Sequence, residues 1–428
     1  MRRPIIVVSV CVAAVLIGLS WHARRFRAPV AKCPLPHAAY VWQRVWGGSV
    51  REAVRRAAPD LSGFVVLGAE VTWVADQFLV ARVPLDYEAL RSAGRPVGVA
   101  VRVGPYAGSF DDSSAALLSD LAKSLVARVQ TERLALREVQ LDFDCPESKL
   151  DGYRVWVQAV RSAIAPVPLR ITVLLCWLDQ PAFGPLAAAT DGYVLQVHSL
   201  QRPKGADAPV TLCDPLTARR AVTKAGRLGV PFEVALPTYG YVVAFDGEGR
   251  LVRLAAEEAP GPWPAVARLR DIRADPVELA RLVRAWTSER PPSMKGIIWY
   301  RLPTDTDRLN WRWVTLRRII RGEMPRFELR AEGRWADDGS LQIELVNDGE
   351  ADMPLDREIV VSWPDARLLA AQGLNGFELA DKVPTAVSFR AGQGLAIRHI
   401  PPGEHRVVGL VRLSARTPVV VRLASCPR

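Results

Sequence analysis

Eight short apolar, β-branched runs, each followed by a segment of helical periodicity, constrain this chain more than any other feature. The runs cover residues 40–46, 64–70, 97–103, 139–144, 169–177, 193–199, 232–236 and 296–301. The helix-period segments lie at 50–58, 87–92, 113–133, 153–165, 183–189, 216–228, 277–289 and 311–320. Parallel strands cannot be joined by tight turns, so such strict alternation implies a parallel sheet with crossover helices. Eight pairs in about 290 residues is the size of a (β/α)8 barrel. That reading predicts closure of the first run against the eighth.

Local start signals agree. Asp111 and Asp112 precede the third helical segment, Asp214-Pro215 opens the sixth and Asp275-Pro276 the seventh, each an acidic cap ahead of a helical run. Gly47-Gly48 after the first run lacks the G-x-G-x-x-G spacing of a dinucleotide-binding turn, which argues against an open doubly wound sheet. One connection is disproportionately long. Residues 238–273 hold a hairpin of 241–245 and 251–255, turning at Asp246-Gly247-Glu248-Gly249, and then a Pro-rich stretch. Insertions of that length on a barrel serve as lids or binding walls.

Past Pro325 the pattern changes to strands without helices, at 326–331, 341–347, 358–363, 386–389, 404–413 and 419–424. This predicts a small antiparallel sandwich. Trp335, Trp363 and Phe377 form no clear aromatic row, so a packing role is favoured there over glycan binding. At the other end, Arg2 and Arg3 precede an apolar stretch over residues 5–21, after which His22, Arg24, Arg25 and Arg27 return the chain to water. We expect an exported body on a single uncleaved membrane segment, with a cleaved signal peptide and secretion as the alternative. The chain therefore divides into a membrane segment (1–30), an α/β TIM-like (β/α)8 barrel (31–325) and an all-β sandwich (326–428).

The formal charge of +11 invites a nucleic-acid reading, but 49 of the 56 basic residues are Arg and they are spread along the chain. No basic run with interleaved aromatics occurs, so nucleic acid is not an expected partner. Six cysteines suit export; with Cys11 in the apolar stretch, the other five, Cys33, Cys145, Cys176, Cys213 and Cys426, cannot all pair. There is no C-x-x-C, H-E-x-x-H or H-x-x-E-H spacing and no G-x-S-x-G elbow, so we expect neither metal nor cofactor nor a serine nucleophile.

Working residues of a barrel enzyme sit where the strands end at their carboxyl termini. Those ends are polar here: Glu70, Arg102, Asp142 with Asp144, Gln196 with His198, Tyr239, and Trp299-Tyr300-Arg301. In Val139-Gln140-Leu141-Asp142-Phe143-Asp144 the period of two puts both acids on one face and the apolar residues on the other. Two acids at a barrel mouth repel unless one is protonated or both share a cation, which is how a site prepares an acid catalyst. Asp142, Asp144 and Glu70 are thus the catalytic candidates. Trp42, Gln43, Arg102, Gln196, His198, Tyr239, Trp299 and Tyr300 are the substrate-binding candidates, since aromatic faces and hydrogen-bonding groups together suit sugar rings.

Several of these segments, among them Ala39-Tyr40-Val41-Trp42-Gln43-Arg44-Val45-Trp46, Leu141-Asp142-Phe143-Asp144-Cys145-Pro146, Tyr193-Val194-Leu195-Gln196-Val197-His198-Ser199 and Ala235-Leu236-Pro237-Thr238-Tyr239-Gly240, resemble a bacterial family known as domain-of-unknown-function family 3142. A looser resemblance is to chitinase-like glycoside hydrolases, whose fourth strand ends in D-x-D-x-E and whose eighth carries a Trp at the pocket floor. That resemblance implies that Asp142 and Asp144 stand for the two acids and Trp299 for the floor. The place of the catalytic Glu is taken by Pro146, and Glu70 is the best substitute acid. The expected function is an envelope barrel of glycoside-hydrolase type acting on a carbohydrate. The alternative is a non-catalytic glycan-binding or scaffold protein. Carboxylates opening separately on a cleft favour the first, and acids locked onto Arg favour the second.

Overall fold

The computed structural model describes residues 34–200, 203–256, 263, 267–392 and 394–425. The apolar stretch at 5–21 lies outside them, as do Cys33 and Cys426. Among the described residues no helix is long and apolar enough to cross a membrane, and Cys145, Cys176 and Cys213 are free thiols.

The first part of the chain runs β1 (His37–Val41), α1 (Gly48–Ala57), β2 (Gly63–Val74), β3 (Gln77–Arg82), α2 (Tyr87–Ala93), β4 (Val97–Val103), α3 (Asp112–Thr131), β5 (Leu136–Phe143), α4 (Leu150–Ile164) and β6 (Leu169–Leu174). It continues α5 (Phe183–Ala188), β7 (Tyr193–Gln196), α6 (Pro215–Gly226), β8 (Phe232–Pro237), β9 (Gly240–Phe245), β10 (Leu251–Ala255), β11 (Arg268–Arg273), α7 (Pro276–Ser288), β12 (Met294–Tyr300) and α8 (Trp313–Ile320). Strands β1, β2, β4, β5, β6, β7, β8 and β12 are parallel neighbours in that circular order, closed where β1 pairs with both β2 and β12. This is a (β/α)8 barrel.

The expected closure is present with a shifted register. His37, Ala38 and Ala39 lie opposite Ile297, Ile298 and Trp299, so the first strand starts before residue 40 and ends at Val41. Beyond it Trp42 to Trp46 leave the sheet and enter the rim. Caps form as their chemistry dictates: Asp111 and Ser114 make a reciprocal capping box, Asp214 accepts from the Thr217 amide, and Asp275 accepts from Val277 and Glu278.

Two additions decorate the mouth. β2 runs past Glu70 to Val74 and returns as β3 through Ala75 and Asp76, both at positive φ. Ala-Asp lacks the Asn-Gly or Asp-Gly signature of such a turn, which hides this hairpin in the sequence. In the long connection after β8, the expected hairpin is β9 and β10, and β11 pairs on the other edge of β9.

Alternation along the strands sorts side chains into two cores. Val139, Leu141 and Phe143 of β5 join the layer between strands and helices, whereas Ala38, Tyr40, Val65, Leu67, Ala100, Val194, Ala235 and Ile298 fill the barrel axis. The floor of that axis is ionic. Arg137 and Arg170 both pair with Glu138 and with Glu233, at 3.0–3.1 Å for three of the four contacts. Gly98 and Gly296 make room, since a Cβ at Gly98 would sit 3.1 Å from the Glu138 stem and one at Gly296 would sit 3.3 Å from a Glu233 carboxylate oxygen.

The remaining strands are β13 (Leu329–Trp335), β14 (Leu341–Asn347), β15 (Met353–Pro354), β16 (Arg357–Ser362), β17 (Leu368–Gly373), β18 (Phe377–Val383), β19 (Ala386–Ala391), β20 (His399–Ile400), β21 (His405–Leu413) and β22 (Val420–Ser425). They form two four-stranded sheets, β13-β14-β21-β17 and β18-β19-β16-β22, with a short β15-β20 ribbon. Leu341, Ile343 and Val411 of one sheet share a core with Ile359, Val361 and Phe389 of the other. Four strands here, β15, β17, β18 and β20, carry no clean alternation and escape the sequence reading; most of β18, for instance, is exposed on both faces.

Candidate functional site at the barrel mouth

β5 builds the site. Its inward residues are Glu138 at the floor, Gln140 at mid-height and Asp142 at the top, with Asp144 just past the strand end. Tyr40 donates to the Gln140 carbonyl oxygen at 2.7 Å, and the Gln140 amide donates to Glu138 at 2.6 Å, so the floor and the mouth are joined by one hydrogen-bonded column.

Asp142 is buried, and its two oxygens are both used: Thr172 Oγ1 donates to Oδ1 at 2.7 Å and Arg102 donates to Oδ2. Arg102 Nη2 also reaches Asp144 Oδ2 at 3.2 Å, where the Asp144 side chain is about half exposed. Burial pushes the Asp142 carboxyl above the usual carboxylate range, against the pull of Arg102 and the Thr172 hydroxyl.

Around this triad lies a cleft of ≈ 550 Å³. Tyr40, Trp42 and Tyr300 meet edge to face in one wall. Tyr239 and Tyr241 form another, Tyr239 packing edge to face on Tyr300. His198 stacks on Tyr300 and its Nδ1 lies 3.1 Å from the Tyr239 hydroxyl. Burial lowers the imidazole pKa to about 4, so His198 is neutral at physiological pH. Gln196, Ser199, Leu200, Leu174, Ala235 and Leu254 complete the lining.

Of the sequence candidates, Asp142, Asp144, Arg102, Trp42, Gln196, His198, Tyr239 and Tyr300 converge on this cleft. Glu70 does not line it. Register places Glu70 beside Arg102, but its carboxylate is held bidentately by Arg44, at 2.6 and 2.8 Å. Gln43 also points elsewhere, its amide directed at the Leu302 carbonyl. Trp299 requires correction as a pocket floor. It faces outward from β12, is fully buried, stacks on His37 and donates to His37 Nδ1 at 3.0 Å. With Ile298 inward in the strand, the period of two makes Tyr300 the residue that meets the cleft. Tyr40, Thr172, Tyr241 and Ser199 are the polar or aromatic residues that line the cleft in addition, beside the apolar Leu174, Leu200, Ala235 and Leu254; Tyr40 shares the inward face with Trp42 and was legible by the same alternation.

Residues 93–305, from α2 through the end of β12, match the model of the family described as "Domain of unknown function (DUF3142)". The barrel belongs to the DUF3142 family. No curated protein matches the chain in sequence. Among solved structures, the spore cortex-lytic enzyme SleL of Bacillus cereus is similar over 69% of this chain and 75% of its own, with a TM-score of 0.49 at 11% identity. A chitinase of Chromobacterium violaceum is similar over 67% of this chain and 98% of its own (TM-score 0.45, 15% identity). A chitinase of Bacteroides thetaiotaomicron covers 63% and 90% (TM-score 0.45, 12% identity).

Proposed function

We propose that this DUF3142 barrel binds a neutral carbohydrate in its mouth, presented on the outer side of a membrane by the apolar segment at 5–21. The observation that carries the reading is the pairing inside the cleft. Among the described residues that line it, Arg102 is the one cation, and it is shared by both lining carboxylates, Asp142 and Asp144. An anionic glycan would meet no uncommitted positive charge there. A neutral sugar would find stacking faces on Trp42, Tyr300 and Tyr241, with hydrogen-bonding partners in Gln196, Ser199 and Asp144. The acids held by Arg102, and Glu70 held by Arg44, favour binding over turnover.

Hydrolysis is the second reading, favoured by the contrast between Asp142, buried with a raised pKa, and the half-exposed Asp144. Two acids in unequal environments are the pattern of an acid and base pair. A glycan array with residues 30–428, followed by hydrolysis assays on each hit, tests both. Neutral oligosaccharide hits that weaken roughly tenfold in Tyr241→Ala and stay intact on incubation support binding. Turnover that disappears in Asp144→Asn supports hydrolysis, and an array that retains only acidic glycans overturns the neutral-ligand reading.

A further inference from the structure

We infer that the C-terminal sandwich sets the position of the cleft wall, and that Arg273 is the positioning residue through which it does so. This rests on the proposal that the mouth is a binding site.

The wall residues Tyr239 and Tyr241 flank Gly240, the first residue of β9. In the β9–β11 ladder Gly240 lies opposite Arg273, and Tyr241 lies opposite Ile272. The fit is close: a Cβ at Gly240 would approach the Ile272 carbonyl oxygen to 2.6 Å and the Arg273 stem to 3.0 Å. The backbone between the two tyrosines therefore rests on Arg273.

Arg273 in turn is fixed from the sandwich. Its Nη1 donates to Asp352, next to β15, at 2.6 Å, and its Nε donates to Asp271 at 3.0 Å. Nη2 donates to the Arg308 carbonyl oxygen at 2.9 Å. Asp271 meets His399 Nδ1 of β20 at 2.8 Å and accepts from the Arg398 amide at 3.2 Å. The side chains of Asp271, Arg273 and Asp352 are all at most 8% exposed, so these pairs are weakly screened and directional. The β15-β20 ribbon thus grips β11 on one side, and β11 holds β9 on the other. From the barrel side the wall is held by Val243 and Phe245, which lie in the barrel core, and by the contact of Tyr239 with His198; the sandwich adds the hold on the edge of β11.

The test is Asp352→Asn, a substitution in the sandwich that touches no cleft residue, read by amide hydrogen exchange and by affinity for two neutral probes, chitotriose and cellotriose. Exchange in β9 should accelerate about tenfold while β5 is unchanged, because local opening is measured element by element. Probe affinity should fall about threefold to tenfold, and Asp352→Glu, which keeps a carboxylate for Arg273, should recover most of it. Equal acceleration in β5 and β9 would reduce the pair to general stability and overturn the inference, as would unchanged β9 exchange. Arg273→Met is the harsher companion and is read the same way if it folds. If the parent protein binds neither probe, the mouth reading is what fails, and exchange in β9 alone decides whether the sandwich holds the wall.

Discussion

The barrel axis carries two clusters of acids and arginines, and they differ in balance. At the floor, Glu138 and Glu233 face Arg137 and Arg170, two charges of each sign with short contacts all round. At the mouth, Asp142 and Asp144 share Arg102 alone. One strand, β5, contributes to both. A balanced, closed cluster cancels its own charge and serves folding, with Arg170 Nε and Nη1 and Glu233 Oε2 meeting their partners as ion pairs rather than as aligned hydrogen bonds. An unbalanced one keeps unspent hydrogen-bonding capacity beside a cleft. Burial lifts a carboxyl above its ordinary range in both clusters, Asp142 at the mouth and Glu138 at the floor.

The largest loss of stability is expected at the floor. Glu233→Ala leaves two mostly buried guanidiniums on one carboxylate and should cost about 2–4 kcal/mol, seen as a lower urea midpoint with an unchanged slope. A loss below about 1 kcal/mol would show that water already shares the floor charges.

At the mouth, Arg102→Met should cost less, about 1–3 kcal/mol at neutral pH, since Asp142 keeps the Thr172 hydroxyl. The sign of its pH dependence is fixed. A carboxyl whose folded pKa is raised penalises folding above that pKa, and the penalty fades as the pH falls through it toward the unfolded value. The variant should therefore approach the parent's stability in acid. A loss that is the same at all pH values would mean that Arg102 contributes by packing.

Histidine titration sharpens the same contrast between buried and open groups. Burial lowers His37 and His198 to about 4, so nuclear magnetic resonance should show both rings neutral well below their ordinary value of 6.5. Because these folded pKa values are depressed, the stability they carry is present above 6.5 and is lost as the pH falls toward 4. Midpoints near 6.5 would indicate that water reaches both rings. The smallest effect is expected at Asp144→Asn, within about 0.5 kcal/mol, because that side chain is half exposed.

Much of this fold was legible because the barrel strands obey one rule throughout. A run such as Val97–Val103 is apolar enough to be buried on both faces, and its bounds are the same in sequence and structure. The acids at β5 were legible for the opposite reason, since Gln140, Asp142 and Asp144 give the strand one polar face opposite Val139, Leu141 and Phe143. Trp299 was misassigned because strand-end position alone does not say which face a residue takes. Its neighbour Ile298 faces the axis, which turns Trp299 outward against His37. Glu70 stayed ambiguous because the choice between cleft and Arg44 depends on where the rim residues after β1 lie, and they lie outside any regular element. The floor cluster was missed outright. Glu138, Arg137, Arg170 and Glu233 come from three separate strands, and no local pattern marks four charges that meet only when the barrel is closed.

That closure has a consequence for how the chain can fold. β1 is seated between β2 and β12, and its pairing with β12 joins residues about 260 positions apart. During synthesis, at roughly 5–20 residues per second, β1 and its neighbours wait for some tens of seconds before the last strand exists. Over that interval one side of β1 is an open strand edge, able to pair with whatever extended segment it meets. Local helices and hairpins can form early, but ring completion is the most non-local event in the molecule and should govern its rate of folding.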